Sequence, residues 1–173
     1  MSAEYKLGIL GGVIIGLIIV VVLNMVSKTD NSIVCKYDER QELVRGKGFK
    51  YGYFSIMISN VMWILLSLLE VSLFCNIETA MFISIIVGVG VFACYCIWND
   101  GYFALNENRK GLMIVFAIVG GINLYIGLMN VIQGSVLENG SLTMKSANLF
   151  CGILLFAIFI MLLLKEAKDR KEG

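Results

Sequence analysis

Five long apolar runs constrain this chain more than any other feature. Residues 7–26, 51–74, 79–98, 111–132 and 147–164 each approach or pass the roughly 20 residues that a helix needs to cross a hydrocarbon core of about 30 Å. Lipid supplies no hydrogen-bond partners, so a spanning segment must be a helix or part of a closed barrel. The runs lack the alternating pattern of barrel strands, which leaves helices. At 58% apolar and 16% charged residues, with a mean hydropathy of +0.84, the chain lies well above the roughly 45–50% apolar share of soluble domains. The polar stretches between runs are too short for a soluble domain with its own core. The expected fold is therefore all-α: residues 1–173 as one polytopic membrane bundle of five transmembrane helices, a lone first helix followed by two antiparallel hairpins. The chain contains no proline, which removes the commonest cause of a kink and leaves glycine or polar residues to make any break.

The stretch 28–50, KTDNSIVCKYDERQELVRGKGFK, decides which way the bundle faces. It carries six of the fourteen Lys and Arg residues. Placed in the cytoplasm, it joins Arg109, Lys110 and the four cations of the tail on one side, with Lys6 and Lys145 alone opposite. The positive-inside rule then predicts a multi-pass protein of the cell membrane with its N-terminus outside and its C-terminus cytoplasmic. The first run is longer than a signal-peptide core and lacks a small-residue cleavage site, so it is expected to persist as the first span.

Within that stretch, Asp38 followed by Gln41 has the spacing of a capping pair and predicts an amphipathic helix starting at Glu39, with Leu43, Val44 and Phe49 as apolar contacts. Gly46 and Gly48 predict a bend before the membrane, and Tyr51 and Tyr53 follow as interfacial anchors. A tight turn is expected at 75–78.

Small residues mark the packing faces. Gly8, Gly12 and Gly16 recur every four residues and fit either self-association of the first helix into a homo-oligomer or packing within one subunit. Gly120, Asn123, Gly127, Asn130 and Gly134 line one seam of the fourth run, where Gly120 and Gly127 allow close approach and Asn123 and Asn130 can bond across helices. Asn60 and Glu70 lie on the polar face of the second run. An ionisable residue inside an apolar run is a functional candidate, and Glu70 reads either as that or as an interfacial carboxylate reaching water.

The chemistry of most enzymes is missing. There is no histidine, no CxxC, no phosphate-binding glycine loop and no metal-protease or calcium-loop signature. Cys94 and Cys96 point to nearly opposite sides of one helix, and Cys75 and Cys151 could meet at the outer face as a disulfide or remain small apolar residues. No catalytic residue, metal ligand or cofactor is expected, nor is direct contact with nucleic acid.

The segment from Asp38 to Gly48, DERQELVRGKG, directly before a four-helix set, resembles a group of uncharacterised small bacterial membrane proteins with a DER-type motif ahead of their first hairpin. The resemblance implies a sensing, immunity or regulator-tethering role beside small helix-turn-helix regulators. The leading expectation is a non-enzymatic accessory protein embedded in the lipid bilayer. Its candidate cytosolic surface is Asp38, Glu39, Arg40, Arg45, Lys47, Arg109 and Lys110, and its partner a cytosolic protein or anionic lipid headgroups. The alternative is a small transporter or permease subunit with a polar path between the second and fourth runs through Asn60, Glu70, Asn123 and Asn130.

Overall fold

The computed structural model describes residues 28–30, 34–70 and 74–172. The first apolar run, with Gly8, Gly12 and Gly16, lies outside the described residues. Four helices follow in order: α1 (Glu39–Leu68), α2 (Ile77–Trp98), α3 (Arg109–Ile132) and α4 (Ala147–Glu172). All four are long and apolar enough to cross a membrane. α1 and α2 form one antiparallel hairpin and α3 and α4 another, and the two hairpins meet where α2 packs on α4.

Glycine sets the closest approaches. A Cβ on Gly52 would come within 2.8 Å of the Gly88 carbonyl oxygen, so α1 and α2 cross backbone against backbone at that point. Four residues further toward the opposite end of the bundle, the Ser84 hydroxyl lies 3.0 Å from both Ser59 Oγ and the Ala80 carbonyl, which satisfies a polar group in an apolar interface. In the second hairpin a Cβ on Gly127 would come within 2.6 Å of the Leu149 backbone and one on Gly152 within 2.6 Å of Leu124 N, while Gly120 faces Leu155 and Phe156. Gly120 and Gly127 of the fourth run's seam thus lie at the α3–α4 interface, whereas Gly134 lies beyond α3 with nothing within 4 Å of its Cβ position.

Three expectations need correction. No separate cytosolic helix or bend precedes the second span, because α1 runs unbroken for 30 residues, roughly 45 Å and longer than a hydrocarbon core is thick. Gly48 serves contact instead of flexibility: a Cβ there would sit 2.7 Å from Cys96 Sγ. The 75–78 turn is also not tight, since Asn76 caps α2 by accepting from Thr79 N at 3.0 Å and residues 77 and 78 already belong to the helix. At its other end α1 stops at Leu68, short of the end of the apolar run at residue 74, and Glu70 follows with a left-handed φ of 54°.

At this end the hairpin β1 (Leu137–Glu138) and β2 (Ser141–Leu142) turns through Asn139 and Gly140, both with positive φ. Leu142 bonds across to Phe74 and Asn76, tying the two helix hairpins together. At the opposite end lies the best-buried core, Ala93, Ile97, Phe103, Ile158 and Leu162, directly beneath the polar loop that joins α2 to α3.

Candidate functional site

Three separated parts of the chain converge over that core: residues 28–30 with 34–45, the 99–108 loop and the polar end of α4. They form a polar clasp across one end of the bundle. It begins with the capping box at α1, where Asp38 Oδ1 accepts from Gln41 N at 2.6 Å and Gln41 Oε1 accepts from Asp38 N at 3.3 Å. Gln41 is 5% exposed, and its Nε2 donates to the carbonyls of Asp100 and Phe103, each at 3.2 Å. One amide therefore caps its own helix and clamps the loop.

The loop presents carbonyl groups because α2 ends there. Asp100 N donates to Ile97 O and Gly101 N to Cys96 O, a Schellman closure with Asp100 in the left-handed position at φ 59°. Further carbonyls are met by cations from α1. Arg40 Nη2 reaches Asn99 O at 3.2 Å and Asp100 Oδ2 at 3.4 Å, and Arg45 Nη1 lies 3.4 Å from the carbonyls of Gly101 and Tyr102. Positive charge at a helix C-terminus complements its dipole. Arg45 is also held over the Tyr37 ring at 4.2 Å.

Asn106 fastens a strap, residues 28–30 and 34–36, to the loop. It is 5% exposed, donates from Nδ2 to Asp30 Oδ1 and Val34 O at 3.0 Å each, and accepts from Lys36 N at 3.0 Å. Thr29 N bonds back to its carbonyl at 3.0 Å. Beside it lies a buried charge cluster: Lys28, with a fully buried side chain, is 3.7 Å from Glu107 Oε1 and 2.6 Å from Cys35 Sγ. The other Glu107 oxygen accepts from Ala104 N at 2.9 Å. Burial pushes the Tyr102 phenol up to about 12, with smaller contributions from Cys96 and Glu107, and raises that of Tyr37 as well.

Two cavities adjoin the clasp. One, of about 310 Å³, lies among Cys35, Tyr37, Arg45, Tyr102 and Glu107 over an aromatic wall that includes Phe92 and Phe116. The other, of about 200 Å³, lies between the start of α3 and the end of α4. Its rim is Arg109, Lys110 and Lys165 with Asp100, Glu166 and Asp169, and its floor includes Ile97, Met113 and Leu162.

The candidate surface residues divide accordingly. Asp38, Arg40 and Arg45 bond within the clasp, although Asp38 and Arg40 remain exposed; Glu39 and Lys47 are exposed on α1 and Arg109 and Lys110 at the start of α3. The candidate intramembrane polar residues are not gathered at one place. Asn60 donates to Ile56 O and Asn123 to Val119 O within their own helices, Asn130 donates to Lys145 O at 3.0 Å just before α4, and Glu70 is exposed beyond α1. α1 and α4 both pack on α2, while α3 packs on α4. All five cysteines are free thiols, and no metal-binding cluster occurs among the described residues.

Gln41, Asn106, Asp100 and the Lys28–Cys35–Glu107 cluster carry the clasp, and sequence reading assigns none of them except the capping half of Gln41. The fold and its polar end define a helical bundle with four potential membrane-spanning helices. No known protein family, curated protein or solved structure matches the chain.

Proposed function

We propose that this is a non-enzymatic accessory protein of a bacterial cytoplasmic membrane, with the clasp and C-terminus in the cytoplasm and the N-terminus outside. In this reading the outward face of α1 docks a cytosolic partner protein in a sensing, immunity or regulator-tethering role. One observation carries it. At 100° per residue, Gln41, Val44, Arg45 and Gly48 share the side of α1 that is clamped onto the loop and α2. The other side carries Glu39, Glu42, Leu43, Gly46 and Lys50, all exposed, with Leu43 at 70%. A leucine this exposed, set among charges and beyond the apolar part of α1, has no lipid to cover it. The network behind it is also more than a connector needs, since most connections in compact domains manage with a few residues. The concentration of cations at this end of the helices supports the orientation.

The test is a photo-crosslinking amino acid at Leu43, activated in intact cells. The expected result is a discrete intermolecular adduct that Glu39→Lys with Glu42→Lys abolishes while membrane abundance stays unchanged. An adduct only within the chain, or one indifferent to that charge reversal, overturns the reading.

A further inference from the structure

The cavity between α3 and α4 has a charge balance that points to a ligand. Its three carboxylates already have cations within the chain: Asp100 has Lys165 at 3.0 Å and Arg40 at 3.4 Å, Asp169 has Lys165 at 2.7 Å, and Glu166 has Arg170 at 2.8 Å. Arg109 and Lys110 form no ion pair with any described residue, although both stand on the rim of the same cavity. Two positive charges are thus left over beside an opening whose floor is apolar. The first amides of α3 add to the field. Asn108 caps only one of them, Gly111 N at 3.1 Å, and the positive end of the helix dipole lies beneath both cations.

The surroundings of the cavity point to the kind of anion. Trp98, 44% exposed at the end of α2, lies under Lys168 at 5.9 Å, and Tyr102 lines the cavity itself. Exposed tryptophan beside lysine at the end of an apolar helix is the pattern of a membrane interface, where headgroups lie. A ligand there meets two cations on the aqueous side and Met113, Leu162 and Ile97 on the membrane side. That combination suits an amphiphile with a phosphate at its head.

We propose that this cavity binds the phosphate headgroup of an anionic glycerophospholipid. Arg109 takes two phosphate oxygens through its fork, Lys110 contacts a third, and the upper acyl chain lies against Met113. The shared chemistry is a phosphate anion, so the test separates a lipid from free phosphate.

The full-length protein is purified in mild detergent and examined by native mass spectrometry after exchange with phosphatidylglycerol, phosphatidylcholine or inorganic phosphate. Phosphatidylglycerol is expected to be retained at one copy per chain, at least tenfold more than phosphatidylcholine. Arg109→Gln with Lys110→Gln should lower that retention about tenfold at an unchanged thermal midpoint. Lys47→Gln with Lys50→Gln, which removes the same charge elsewhere, should leave it intact. Met113→Gln should weaken lipid retention and not phosphate binding. Equal retention of phosphatidylcholine, equal loss in the Lys47 and Lys50 variant, or a site filled by inorganic phosphate with no preference for lipid would each overturn the proposal.

Discussion

Lys165 Nζ stands 3.0 Å from Asp100 Oδ1, and this contact ties the polar end of α4 to the turn that ends α2. The turn position it uses normally belongs to glycine. Asp100 has φ 59°, a conformation that costs a residue with a Cβ roughly 1 kcal/mol or more, although aspartate tolerates it better than most. Its charge offsets that strain, because Arg40 also approaches the carboxylate. Those pairs are partly exposed and worth only about 0.2–1 kcal/mol each. Asp100→Asn should therefore lower stability by about 1 kcal/mol. Asp100→Gly loses the same pairs but relieves the backbone and should stay within roughly 0.5 kcal/mol of the parent. Asp100→Ala loses both advantages and should be the worst of the three. Thermal midpoints in detergent give the ranking, and a glycine variant below alanine would show that the strain is not there.

Asn106 makes a second, sharper prediction. Replacing it with alanine removes the amide that now pairs Lys36 N and Val34 O, at about 0.5–1.5 kcal/mol for each bond lost. Amide exchange at Lys36 and Leu105 should accelerate at least tenfold, while exchange within α2 and α3 stays slow. Asn106→Asp should do no better, since it removes the donors and sets a second carboxylate beside Asp30. Unchanged exchange in either variant would mean that the strap is held by something other than this side chain.

These two residues also show why the clasp escapes a reading of the sequence. The partners of Asn106 lie seventy or more positions away, so no local window distinguishes it from any loop asparagine. Asp100 belongs to a Asn99-Asp100-Gly101 turn that is plain in the sequence, yet which residue takes the left-handed position depends on the helix before it. What is legible is what repeats along one segment. The capping pair Asp38 and Gln41, the close approaches at Gly120 and Gly127 of α3 and four of the apolar runs can all be read this way. The end of α1 defeats hydropathy because counting apolar residues carries no information about where the backbone turns. Asn139-Gly140 is the opposite case, a strong hairpin signal overshadowed by two-residue strands.

The Lys28–Glu107 pair should behave as buried pairs do. Glu107→Gln leaves a fully buried ammonium without its counter-charge and should cost about 3 kcal/mol. Lys28→Met combined with Glu107→Gln should recover most of that loss, because the uncompensated charge is gone. Alkylation of Cys35 reports the opening, since its sulfur contacts Lys28 Nζ at 2.6 Å in the closed clasp. Faster labelling in the single variant and near-parent labelling in the double variant is the expected pattern. Equal labelling in both would show that the charge pair does not hold the strap.

Glycines in α1 that look alike in sequence should respond with opposite signs. A Cβ on Gly52 meets the Gly88 carbonyl at 2.8 Å, and neither backbone can yield without parting the helices, so Gly52→Ala should cost roughly 1–3 kcal/mol. Gly46 has nothing within 4 Å of its Cβ position, so alanine there should gain up to about 1 kcal/mol of helix propensity. Denaturant midpoints of the two variants should move apart, and a loss at Gly46 would place a neighbour against that face.

Tyr102 predicts how the clasp responds to alkali. Its phenol titrates near 12 when folded because burial disfavours the phenolate, against about 10 in an unfolded chain. As pH rises through 10 the unfolded state loses its proton first, so the folded state binds more protons and stability must fall until about pH 12. The full shift corresponds to on the order of 3 kcal/mol, lost at no more than about 1.4 kcal/mol per pH unit. Below pH 9 the phenol contributes nothing to the pH dependence. Tyr102→Phe should match the parent at pH 7 and lose less stability from pH 10 upward. Tyr37 is raised in the same direction by its own burial, so some slope should survive in that variant and diminish again when Tyr37→Phe is added. Lysine deprotonation in the same range affects every variant alike and drops out of the comparison. Parallel stability profiles for the parent and Tyr102→Phe between pH 9 and 12 would show that the phenol is not enclosed at the foot of the clasp.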